Sequence, residues 1–105
     1  MIMGQLDPVE EAIVRVHRME LLLDEITEGL KQSLKQSPDA RDFLDSPYWQ
    51  TKVKVLTAYY ESGLWMQDYE RDEAGEFPAD LKRGVLSQDT VYDLLTELKE
   101  LEDVT

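Results

Sequence analysis

Cysteine is absent from the 105-residue chain, histidine occurs once, and no apolar run exceeds three residues. Without cysteine there is neither a disulfide framework nor a thiolate zinc knuckle, as suits a reducing cytosol. Without a run near the roughly 18 apolar residues that cross a bilayer, no spanning segment is expected. Met1 to Leu6 shows no basic region followed by an apolar stretch, so no secretory signal is expected. Basic residues are also scarce, with 11 against 23 acidic ones and a formal charge of −12. Such a field repels phosphates and anionic lipids, so neither nucleic acid nor membrane is an expected partner. The same acidity could attract a basic protein, mimic a phosphate backbone or simply keep a small protein soluble. Glycine-rich phosphate loops, Gly-x-Ser-x-Gly elbows, dinucleotide fingerprints and zinc-protease helices are missing, so no cofactor is expected and no nucleophile or general base stands out.

Hydrophobic residues make up 42% of the chain. One domain over residues 1–105 with a thin core is the expectation, and a partner or self-association would help bury its apolar surface. Asp7-Pro8-Val9-Glu10 marks a helix start, because Asp7 can cap, Pro8 suits the first helical position and Glu10 completes a capping box. Val9, Ala12, Val16, Met19, Leu23, Ile26 and Leu30 then alternate steps of three and four, with Ile13, Leu22 and Leu34 widening the stripe. Glu11 stands four residues before Arg15, in place for a supporting pair. Pro38 limits this helix to about 8–36.

Ser37-Pro38 and Ser46-Pro47 repeat a cap followed by proline. The first predicts a single turn through Phe43 and Leu44. The second predicts a helix over about 47–62, burying part of Trp49, Val53, Leu56, Tyr59 and Tyr60, with Gly63 as a left-handed stop. Ser87 predicts a last helix over about 88–102, with Val91, Leu94, Leu95, Leu98 and Leu101 on one face and Leu86 stapled to Val91. The fold class is therefore all-α: a small helical bundle with a long N-terminal helix antiparallel to the second, an ordered acidic connecting segment, and a third, C-terminal helix. About thirty residues make the first helix roughly 45 Å long, twice the later ones. Its stripe must be shared between the two shorter helices, bent near Gly29, or covered by a second copy.

The connecting segment, 63–86, is long for a compact domain. Trp65, Tyr69, Phe77 and Leu81 argue for order, and Gly75 could close a short helix ending at Ala74. Tyr59-Tyr60, Ser62-Gly63, Trp65, Asp68-Tyr69-Glu70, Asp72-Glu73-Ala74-Gly75, Pro78, Asp80 to Ser87 and Val91 to Leu95 together resemble a small bacterial family, domain of unknown function 4298. The resemblance is close over residues 52–101, generic over the first helix, and does not take in Ser37 to Trp49. It implies a bacterial, cytoplasmic, helical protein, and it carries no catalytic or binding residue with it.

Asp68, Glu70, Asp72, Glu73, Glu76 and Asp80 form the cluster best suited to chemistry. As a calcium loop it fails: starting from Asp68, Glu73 falls where glycine is wanted and Ala79 where a bidentate glutamate is wanted. On a helix, Asp68 and Asp72 would share a face, and with Glu73 they are the candidate metal ligands; salt-bridged or solvated acids are the alternative. Arg83 could fork onto Asp68 or Asp72 while Gly84 lets the chain turn, or Lys82 and Arg83 could hold an anion beside Ser87. Trp65, Tyr59, Tyr60, Tyr69 and Tyr92 could line a pocket, although aromatics at helical spacing more commonly form core. His17 sits at the edge of the stripe. The structural or interaction candidates are Trp65, Asp68, Tyr69, Asp72, Arg83, Gly84 and Tyr92. A non-enzymatic interaction or regulatory module that binds protein, itself included, is the leading expectation. A small carboxylate- or metal-dependent enzyme using the 68–80 segment is the alternative, and acidic mimicry of nucleic acid a further one.

Overall fold

The computed structural model describes residues 6–103. Most of the Met1–Leu6 stretch, and Val104 and Thr105, lie outside the described residues. The described residues form five helices: α1 (Pro8–Gln36), α2 (Arg41–Leu44), α3 (Pro47–Glu61), α4 (Gly63–Glu73) and α5 (Gln88–Asp103), with a 3-10 turn at Gly84–Leu86. No strand occurs among the described residues, and none of their helices is long and apolar enough to cross a membrane.

α1 begins as a capping box. The Asp7 side chain accepts the Glu10 amide at 2.8 Å, and Glu10 reaches back to the Asp7 amide at 3.5 Å. Its buried face is Ala12, Val16, Glu20, Leu23, Ile26 and Leu30. Ser37, in extended conformation, ends it. The next turn opens differently from the Ser37-Pro38 expectation. The Ser37 hydroxyl donates to Asp39 (2.6 Å), Asp39 accepts the Arg41 amide (3.1 Å), and Ala40 enters α2 left-handed at φ 50°. A non-glycine residue there costs roughly 1 kcal/mol. Ala40 is wholly buried in the core, where a methyl group fits.

α3 runs antiparallel to α1, because their contacts descend one helix as they climb the other. The Trp49 ring lies over Gly29, Lys52 pairs with Glu25 at 2.8 Å, and Tyr59 lies near Arg15 through their shared partner Asp68. At Gly29 a Cβ would stand 2.5 Å from the Trp49 ring, so this glycine gives clearance for an indole. α2 and α3 thus cover the C-terminal half of α1. Its N-terminal half is covered by α4 and the 3-10 turn, and α5 packs against that turn. The two-helix sharing anticipated from length therefore involves α4, a helix that the sequence reading placed inside the connecting segment.

Gly63 is not a left-handed stop. Gly75 is the one glycine at positive φ (74°) among the described residues. Ser62, extended at φ −83° and ψ 160°, ends α3 and caps α4 at once: its hydroxyl donates to the Tyr59 carbonyl at 2.7 Å and accepts the Leu64 amide at 3.3 Å. A one-residue elbow replaces the expected stop.

Candidate functional site

The elbow aims one side of α4 at the N-terminal half of α1. Trp65 and Asp68, three residues apart, are its buried positions. Asp68 is fully buried and meets three donors: Arg15 Nε at 2.8 Å, Arg15 Nη2 at 2.6 Å and the Tyr59 hydroxyl at 2.7 Å. The two-pronged guanidinium contact is the strong geometry for a carboxylate. The hydrogen bond and charge of Asp68 hold the Arg15 pKa above its ordinary value. Burial, reinforced by hydrogen bonding to Asp68, pushes the Tyr59 phenol far above its ordinary 10.0. Arg15, placed by the sequence to meet Glu11, has turned instead to a residue 53 positions away.

Two further clasps fix the rest of the segment. Arg83 hydrogen-bonds Asp72, the Pro78 carbonyl and, at 3.1 Å, the Leu81 carbonyl, so it ties α4 to the chain that follows. It meets Asp72 alone of the two expected acids, because Arg15 and Tyr59 already occupy Asp68. Glu20 accepts the Gly84 and Val85 amides, both at 3.0 Å, and so closes the 3-10 turn onto α1. A Cβ on Gly84 would lie 2.8 Å from Glu20 Oε1, so this glycine admits the carboxylate. Trp65 completes the clamp: its indole N–H donates to the Val85 carbonyl at 2.9 Å, Tyr69 stacks on it at 5.5 Å, and Tyr60 meets its edge at 5.3 Å.

The structure thus gathers Trp65, Asp68, Tyr69, Asp72, Arg83 and Gly84 into one belt around α1. Tyr92 lies outside it, 58% exposed on α5, and so does not join the core. Glu73 faces solvent, and His17 is exposed rather than at the edge of the stripe. Asp68, Asp72 and Glu73 do not converge, and the described residues hold no group of three or more potential metal ligands. An open cleft of about 410 Å³ beside the belt, lined by Tyr69, Asp72, Glu73, Arg83 and Gln88, has no buried acid pair. Arg15 and Glu20 were missed as belt members. Glu20 had a signal: four residues after Val16 and three before Leu23, it falls on the apolar stripe, where a carboxylate needs a partner.

The sequence pattern of one family, Domain of unknown function (DUF4298), matches residues 10–104. The chain belongs to this family. The DUF4298 match takes in α1 from Glu10 onward and the 37–49 stretch, which is more of the chain than the close resemblance over residues 52–101. No curated protein and no solved structure matches the chain. The belt of this DUF4298 chain can hold helices in register; its acids are already engaged with internal donors.

Proposed function

We propose that this DUF4298 protein is a non-enzymatic interaction module, an adaptor or regulator whose work is to bind protein in the bacterial cytoplasm. The observation that supports this reading is the fate of the carboxylates. Asp68 and Glu20, the two buried acids, are saturated by a guanidinium, a phenol and backbone amides, and Asp72 is held by Arg83. General acid–base work needs a carboxylate within reach of a substrate in a concave site. Here the remaining acids of the segment, Glu70, Glu73, Glu76 and Asp80, sit exposed. Meanwhile Val14, Leu21, Tyr48, Val55, Leu64 and Met66 show large apolar side chains to solvent.

The test is a hydrolase panel of phosphate, ester and peptide substrates, run with and without magnesium and calcium. No turnover above buffer is expected. Turnover that disappears in a folded Asp72→Asn or Glu73→Gln variant would overturn the reading and restore an enzyme built on the 68–80 segment.

A further inference from the structure

α1 has a second organised face, opposite its core. Val14, Arg18, Leu21 and Glu25 follow at steps of four, three and four, so they line one side of the helix. Val14 is 39% and Leu21 49% exposed, and Arg18 and Glu25 are both open to solvent. Lys52 reaches from α3 to Glu25, and Val55, one turn further along α3, is 46% exposed. The α1–α3 pair therefore offers a shallow two-helix surface with an apolar centre and one charge of each sign at either side of Leu21.

The order of those charges selects the occupant. Arg18 lies three residues before Leu21 and Glu25 four after it. Rotate a second copy by a half-turn about an axis through Leu21, so that the two α1 helices cross antiparallel. Arg18, about 4.5 Å from the axis, then meets Glu25 of the other copy, about 6 Å from it, with an axial offset of only about 1.5 Å. The contact occurs twice by symmetry, while Leu21 meets Leu21 and Val55 closes the flank. An unrelated partner has no reason to match this spacing; a second copy does so automatically. Two reciprocal ion pairs partly offset the repulsion that two chains of formal charge −12 meet on association.

The geometry points to an isologous homodimer through the outer face of α1, centred on Leu21 and registered by reciprocal Arg18–Glu25 pairs. The inference rests on the interaction-module reading and names its partner. From Val14 to Glu25 the face is about 17 Å long, and about 18 Å across two helices it gives roughly 300 Å² per copy, well below the size of a permanent interface. The dimer is weak and reversible.

Light scattering and sedimentation over a concentration series test it, with circular dichroism as the check on folding. The expected result is a concentration-dependent dimer in the micromolar range. Leu21→Asp, at an exposed position, abolishes it with the helical spectrum intact. Arg18→Glu and Glu25→Arg each weaken it about tenfold or more, and the combined Arg18→Glu/Glu25→Arg chain regains the dimer. Because Glu25→Arg faces Lys52 in both the single and the combined variant, the difference between them isolates the contact across copies. A monomer at high micromolar concentration overturns the dimer but leaves the interaction-module reading in place, which falls only on turnover. A dimer insensitive to Leu21→Asp, or a charge swap without recovery, also overturns this interface.

Discussion

Replacing Asp68 with asparagine removes one charge and almost no volume, so it tests the belt without opening a cavity. In the native chain Asp68 Oδ2 accepts from Arg15 Nε and the Tyr59 hydroxyl, while Oδ1 accepts from Arg15 Nη2. Asparagine keeps one acceptor, which can serve Nε and the hydroxyl, and then turns an NH₂ group toward Nη2. Two donors face each other, and Arg15 loses its counter-charge. Breaking a buried pair costs about 3–5 kcal/mol. Arg15 retains 23% side-chain exposure and can recover some hydration, which places the loss near the lower end, about 3 kcal/mol. Against a total of about 5–15 kcal/mol for a domain, that is a large fraction. Urea unfolding followed by tryptophan fluorescence reads it, since Trp65 stands three residues from the site. With an m-value of about 2 kcal/mol/M the midpoint falls by roughly 1.5 M. The triple replacement Arg15→Met, Asp68→Leu, Tyr59→Phe removes all three polar partners together and recovers most of the loss. A loss under about 1 kcal/mol for Asp68→Asn, at unchanged m, would refute the belt as the anchor of α4.

Gly29→Ala places a Cβ 2.5 Å from the Trp49 ring and costs about 1–3 kcal/mol, seen as a drop in Tm of about 4–8 °C per kcal/mol; an unchanged Tm would mean that the indole has room to retreat. Gly84→Ala drives Glu20 Oε1 off the turn and costs a similar amount by urea unfolding, whereas Glu20→Gln, which keeps an acceptor for one of the two amides, costs less. Tyr59 sets an alkaline limit. Its pKa is raised above the ordinary 10.0, so the unfolded chain gives up this proton first; the stability is complete below pH 10.0 and declines as pH rises beyond it, by up to about 1.4 kcal/mol per pH unit. Tyr59→Phe lacks that decline, and parallel slopes for the two proteins above pH 10.0 would show the phenol to be unperturbed.

The all-α class was legible because its signals are local. The Asp7–Glu10 box spans four residues, and the α1 stripe and the α5 face repeat within single turns. What sequence pattern missed has one physical character: partners distant in the chain, or a junction without a breaker. Gly63 reads as a stop because glycine commonly ends helices left-handed. Ser62, extended and bonding in both directions, breaks the helix within one residue and needs no positive φ. Nothing in Ser-Gly distinguishes a stop from such an elbow, so α4 read only as a short helix that Gly75 could close at Ala74, inside a connection. Asp68 likewise read as a partner for Arg83 or a metal, since Arg15 and Tyr59 arrive from α1 and α3 only after the elbow has set the direction of α4.

The elbow and the belt also account for the allocation of charge in this chain. A residue bound for the core of a thin bundle is ordinarily apolar, and two of the buried positions, Glu20 and Asp68, are acids. Each lies where a helix must be held against α1 by something other than a broad apolar contact: Asp68 where α4 leaves the elbow, Glu20 where the chain returns before α5. Directional bonds set rotation and register in a way that oil-like contact does not, a use for which buried polar groups are best attested. With the inner side of α1 fixed by these bonds, its outer side keeps Arg18, Leu21 and Glu25 on one straight line along the helix. A rotation of α4 or the 3-10 turn about α1 would bury part of that line. The belt that stabilises the fold is therefore also what keeps the proposed dimer face open, and the Asp68→Asn chain should lose dimerisation at urea concentrations that leave the wild-type dimer intact.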